Sequence, residues 1–355
     1  MRRPNIPRDS SNMVAAGDRL YLVQGRYCIG IDGATGERAE RFPVSDGEHH
    51  DWSYLATTDG MLIGSRVKKG TVYLGDDGQW FENFEVSDIS RVTSDRLFGV
   101  DPKGGERAWE YNSGAIVNST ITIGDGVIYF IESRAPVAIA KAGGIQPIQQ
   151  LGDQHLVAID LRTGQPKWDR AHDFSKLQYM TYLVYANGTL VATGTDKDKH
   201  FHTYAIAAVE KAVEAKDGKR TFVPPGSLLW EDHHEAGKDH HSGHLQHPVV
   251  IGGTYYSDQW AFDLETGREL RDDLPERRGC GTMSASSHSM FFRHYFHGMW
   301  NLDTNKRSQF EGIRSGCWLG LIPAGGMLLA PETSAGCSCT HSIQTSVGYL
   351  PRALE

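Results

Sequence analysis

Six of the sixteen histidines, His233, His234, His240, His241, His244 and His247, crowd one short stretch. Imidazole titrates near neutral pH, so such residues can move protons, neutralise a carboxylate or hold a transition metal. His49 and His50 precede Trp52, and basic residues recur at Arg66, Lys68, Lys69, Arg134, Arg293 and His294. Guanidinium groups pair bidentately with carboxylate or sulfate. Four of the five cysteines, Cys280, Cys317, Cys337 and Cys339, fall near the C-terminus. Together with a histidine such as His341 they could hold zinc. Cys-x-Cys is tighter than usual zinc spacing, so disulfides and free core thiols stay open as alternatives. Cys28 reads as plain core.

Positioning these residues needs a repeated element. A turn followed by an apolar strand recurs seven times, at Gly17-Asp18, Asp59-Gly60, Asp125-Gly126, Asn187-Gly188, Gly252-Gly253, Ser287-His288 and Gly325-Gly326. A second pattern, Asp-x-x-Thr-Gly, occurs at Asp32, Asp160 and Asp263, with weaker copies at Asp101 and Asn301. The Asp side chain can bond the backbone two residues on. Trp109, Trp168 and Trp230 follow as residues expected to pack between neighbouring blades. Almost no segment has a 3.6-residue apolar period; Tyr204 to Lys216 is the exception and predicts a short helical insertion. These patterns predict an all-β chain, a single β-propeller of seven four-stranded blades at 13–44, 52–111, 115–170, 180–231, 244–272, 280–311 and 317–351.

The segment Val157 to Trp168 resembles the tryptophan-docking repeat of quinoprotein alcohol dehydrogenases and of the outer-membrane assembly lipoprotein propeller. The whole chain resembles a bacterial family of PQQ-like propeller repeats. That resemblance is carried by Arg3 to Arg8, Gly243 to Pro248, Gly279 to Ser286 and Gly336 to Cys339. It implies the fold and no particular activity. PQQ itself is not expected, because the chain has no adjacent Cys-Cys pair.

In a propeller, the connections entering each first strand and those following each second strand share one face. His50, Trp52, Arg66, Arg134, His244, His247, Arg293, His294 and the four clustered cysteines all map to that face. The connections 66–94 and 134–154 lie there too, and connections that long are usually functional. The expected result is a cationic, histidine-rich mouth on a chain of net charge −8. The acidic balance argues against a broad nucleic-acid surface. No apolar run is long enough to span a membrane, and no apolar leader follows Met1. A periplasmic or secreted location is expected if a leader has been trimmed.

The functional expectation is an enzyme on an anionic polysaccharide, a lyase cleaving by β-elimination beside a uronate. Its plan is similar to that of seven-bladed lyases of ulvan and oligogalacturonate. That chemistry needs a cation on the carboxylate, a base for the C5 proton and an acid for the leaving oxygen. The candidates are Arg293 or Arg66 on the carboxylate, His244 as neutraliser or base, and Tyr182 or Tyr295 as acid. Arg134, His50, Trp52, His247 and His294 are expected to bind substrate. The cysteines would carry zinc or another divalent metal. The alternative is a non-catalytic scaffold with a protein partner. A glycoside hydrolase would instead need two carboxylates, drawn from Asp51, Glu132, Asp232 and Glu332.

Overall fold

The computed structural model describes residues 12–45, 47–71, 89–178, 181–198, 200–214, 220–235, 247, 249–257, 259–275, 277, 283–312, 320–331 and 345–351. They fall into two compact units, one running to Ser175 and one starting at Lys176. Both are built from antiparallel sheets in which most neighbouring strands follow one another along the chain. No helix among the described residues is long and apolar enough to cross a membrane.

The first unit holds three sheets. Met13–Ala16, Arg19–Gln24, Tyr27–Asp32 and Arg38–Pro43 form the first. His50–Thr58, Met61–Lys68, Arg96–Val100 and Arg107–Tyr111 form the second. The third is built on Ala115–Val117, Val127–Ser133, Gln154–Asp160 and Pro166–Ala171. Its first strand is interrupted by a 3-10 turn at Asn118–Thr120 and resumes at Thr122–Gly124.

The two long connections of this unit are structured. Ser90–Ser94, from the connection 66–94, leaves the second sheet and pairs with Ala115–Val117 of the third. Ile145–Pro147, from the connection 134–154, then pairs with Ser90–Ser94 and becomes the edge. The same connection contains a one-and-a-half-turn helix, Pro136–Lys141, with proline in its first turn. Ala138 packs beneath it on Ala115, Val117 and Leu151.

The second unit holds Thr181–Ala186, Thr189–Thr195, His200–Ala207 and Leu228–Glu235 as one sheet. The next contains Val249–Ile251, Thr254–Ser257, Trp260–Asp263 and Glu269–Arg271. Ser284–Ala285, Ser289–His294, Phe296–Asn301 and Lys306–Phe310 follow. The last has three strands among the described residues, Ile322–Ala324, Met327–Ala330 and Val347–Tyr349. Among the described residues of Tyr204 to Lys216 the expected helix is not found. That stretch continues the strand His200–Ala207 and then starts a hairpin, Lys211–Glu214 with Arg220–Val223. Three of its alanines, Ala205, Ala207 and Ala208, are buried in the sheet core, so tertiary packing overrides helical propensity.

Apolar faces of adjacent sheets pack on one another. Trp52, Leu55, Leu62 and Phe98 meet Tyr21, Cys28 and Phe42 between the first and second sheets. Ile63, Leu97 and Trp109 meet Ile128, Val157 and Leu161 between the second and third. The Asp-x-x-Thr-Gly turns close as expected: one carboxylate oxygen of Asp32, Asp160 and Asp263 accepts two backbone N–H bonds and the threonine hydroxyl. The Asp160 and Asp263 turns each receive an aromatic ring from the preceding sheet. The Trp109 indole lies over Gly164 and the Trp230 indole over Gly267, where an added Cβ would stand 2.6 Å from the ring. Both glycines also have positive φ, so these two positions exclude side chains twice over.

Candidate functional site

In the first unit Arg66, at the end of Met61–Lys68, and Arg134, just after Val127–Ser133, each meet a carboxylate. Arg66 makes a two-pronged pair with Asp95, at 2.9 Å through Nε and 2.5 Å through Nη2. Arg134 donates to Glu132 at 2.8 Å and also bonds Asp169. Asp169 faces His155 Nδ1 at 2.6 Å. Arg96 is paired with Glu110. Fork-to-carboxylate pairs of this kind are strong and directional, and they use the donors an anionic ligand would need.

The electrostatics follow from these contacts. Burial pushes Glu132 above the usual carboxylate range, opposed by Arg134 and by the Tyr111 hydroxyl, which donates at 3.0 Å. Glu132 is 0% exposed, and its Oε2 has no hydrogen-bond partner. Burial also acts to raise Asp169, but the bonds from His155 and Arg134 outweigh it and hold Asp169 low. His50 is held below its ordinary value by burial and by the nearby Arg66.

Trp52, expected at the mouth, is a core residue. It is 1% exposed, and its ring meets Phe98 edge-on at 4.8 Å. The reason is strand register: Trp52 lies opposite Arg66, on the side of the sheet that packs against the first sheet. Beside it runs a buried polar seam joining the second and third sheets. Asn118 Nδ2 donates to Ser53 Oγ at 2.6 Å, and Ser94 Oγ lies 2.7 Å from Asn118 Oδ1 and 2.8 Å from Ser65 Oγ. Such a network is fully paired and rigid.

In the second unit Tyr182 and His247 are brought together, with ring centroids 4.8 Å apart. Arg293 is 5% exposed, and its Nε donates to the Tyr295 carbonyl at 3.3 Å. Tyr295 stands in the hairpin turn with φ of 62°, and its exposed ring meets His294 edge-on. His294 Nε2 lies 3.4 Å from Arg307 Nη1. His244 lies outside the described residues, as do Cys280, Cys317, Cys337 and Cys339. Cys28 is fully buried, and burial pushes its thiol up to about 12, which makes it inert core.

Of the glycosidase candidates, Asp51 accepts the Gly70 N–H at 2.9 Å and Asp232 faces His234 at 3.0 Å. Glu132 is sealed from solvent, and Glu332 lies outside the described residues. Sequence reasoning did not anticipate Asp95, Asp169 and Asp196, the carboxylates that engage the basic groups. Asp196 faces His202 Nε2 at 2.9 Å.

Comparison with known proteins fits this repeat. The chain is 27% identical over 293 residues to the outer membrane protein assembly factor BamB of Burkholderia pseudomallei (strain K96243), covering 77% of this chain and 68% of that one. The chain is a BamB-like PQQ-repeat β-propeller. The fold is also that of the computationally designed Ika8 protein, with a TM-score of 0.52 at 12% identity over 90% of this chain and 79% of that one. BamB from Moraxella catarrhalis gives a TM-score of 0.49 at 12% identity, over 90% of this chain and 80% of that one. No family model matches the chain. A BamB-like repeat accounts for the tryptophans at the turns and leaves the basic groups to be explained by their own contacts.

Proposed function

We propose that this chain is a non-catalytic, seven-bladed propeller scaffold that docks protein partners in the assembly of outer-membrane proteins, working in the periplasm. The observation that carries the reading is the internal neutralisation of Arg66 and Arg134 by Asp95, Glu132 and Asp169. A lyase needs a guanidinium free to meet a uronate carboxylate; in Arg66 and Arg134 that capacity is spent within the fold. The similarity to BamB, an outer membrane protein assembly factor, supports the same reading.

The docking element is the insert of the third sheet. Val137, Ile139 and Ile145 are exposed apolar residues on the helix and the neighbouring edge strand. Ile145–Pro147 pairs on one side only among the described residues. An open strand edge beside apolar side chains suits an extended segment of a partner polypeptide, which would add as a further strand.

Photocrosslinkers placed at Val137 and Ile145 in cells test this. Adducts with a component of outer-membrane protein assembly are the expected result. New ultraviolet absorbance from unsaturated uronate, when the chain is mixed with acidic polysaccharides, would overturn the reading in favour of a lyase.

A further inference from the structure

The first sheet of the second unit carries a histidine array that a scaffold does not require. His200–Ala207 and Leu228–Glu235 run antiparallel, with His202 directly opposite His233 and His200 opposite Glu235. Directly paired residues, and residues two apart on one strand, project from the same face of a sheet. His200, His202 and His233 therefore share one face, with Glu235 in the same row.

The rings are close. Their centroids are 5.7 Å apart for His202 and His233, 6.3 Å for His200 and His233, and 6.5 Å for His200 and His202. Three imidazoles bound to one ion through bonds of about 2.0–2.1 Å would have centroids roughly 5–5.5 Å apart. The observed triangle is wider than that by up to about 1.5 Å. As placed, no three His, Cys, Asp or Glu side chains among the described residues are positioned to hold one ion, so the rings must move to bind it. Binding requires the His200 and His233 rings, which are at the surface, to turn, since the His202 and His233 rings lie nearly parallel at 16°.

Asp196 supplies the backing. It is buried, faces His202 Nε2 at 2.9 Å and lies 3.5 Å from His200 Nδ1. It also accepts the backbone N–H groups of Asp198 and His200 at 2.9 Å each, which fixes its orientation. A carboxylate holding one ring nitrogen orients the imidazole and raises the basicity of the other, the arrangement found behind histidine ligands. With Nε2 of His202 engaged by Asp196, Nδ1 is the nitrogen left to bind an ion.

We propose that His200, His202 and His233 bind one divalent transition-metal ion of the imidazole-preferring class, with solvent at the fourth position and Asp196 as a positioning residue. Nitrogen donors of this kind select zinc, copper or nickel over calcium or magnesium. The site is independent of the docking reading.

The test is titration of the full chain with zinc chloride, read by calorimetry and by the rise in Tm that binding to the folded state produces. H202A and H233A should each remove one equivalent of binding or weaken it by at least about tenfold, and D196N should weaken it by about tenfold. H288A, which alters an exposed histidine on another sheet, should change nothing. Cobalt separates this site from any at the cysteines, because a nitrogen and oxygen site lacks thiolate charge-transfer bands. H233A is the informative variant if H202A fails to fold, since His233 is exposed. Wild-type stoichiometry and affinity in folded H233A, or cobalt binding through thiolate alone, would overturn the proposal.

Discussion

The indole Nε1 of Trp109 donates to the carbonyl of Leu161 at 2.9 Å, fastening the last strand of one sheet to the turn of the next. Trp230 repeats the contact on Leu264 at 2.9 Å in the second unit. In both cases a glycine three residues beyond the carbonyl makes room for the ring.

Gly164→Ala therefore meets two obstacles, a positive φ and the Trp109 ring. It should destabilise the chain by about 2 kcal/mol or more. Trp109→Phe keeps much of the packing but leaves the Leu161 carbonyl without its donor, at a cost of about 1–2 kcal/mol. Urea unfolding of the two variants checks both values, and equal midpoints to wild type would contradict the latch.

Glu132 gives a pH signature. Its folded-state pKa is raised above the ordinary 4.5 by burial, so the folded state holds this proton more tightly than the unfolded state. Its contribution to stability is present below pH 4.5 and is lost as pH rises through the raised value. The stability of wild type minus that of E132Q should fall as pH increases through that window. A difference that is flat with pH would show that Glu132 titrates normally.

Asp196 behaves in the opposite sense. Burial acts to raise it, but the bond from His202 and the backbone N–H of His200 outweigh that and hold it low. Its contribution is present above the ordinary value of 3.8 and disappears as pH falls through its folded value. In the acid limb of a pH–stability profile, wild type should lose its advantage over D196N. Parallel profiles would refute the assignment.

Ile139→Asp and Ile145→Asp probe the insert. Both side chains are exposed, so stability should change by no more than about 0.5 kcal/mol. Crosslinking to the partner at Val137 should fall sharply in either variant. Undiminished adducts would move the docking surface elsewhere.

Local chemistry was legible in the sequence, and distant pairing was not. The Asp32, Asp160 and Asp263 turns are encoded within a few residues, so their spacing announced them, and with them the sheets. Trp109 was readable as a packing residue because it stands eight residues after the weaker turn copy at Asp101, as Trp168 does after Asp160; Trp230 follows no such turn. The stretch from Tyr204 misled because alanines favour helix locally, whereas Ala205 and Ala207 are buried in a sheet. Arg66 looked like a ligand-binding cation because its partner Asp95 lies 29 residues away, and Arg134 because Asp169 lies 35 away, though its other partner Glu132 is two residues off. Trp52 looked like a surface aromatic because register, which turns it inward, is not set by its neighbours in sequence. The histidine array was half visible: the run at His233 was apparent, but its pairing with His200 and His202 requires the strand register.

Ser90–Ser94 starts from one sheet and is hydrogen-bonded into the next, and Ile145–Pro147 is then laid against it. The second and third sheets are thereby sewn together by the backbone itself. Neither can open without tearing the other, so the two should protect their amides from exchange as one cooperative block. A protease nick between Ser94 and Arg96 would cut the thread, and both sheets should then loosen together.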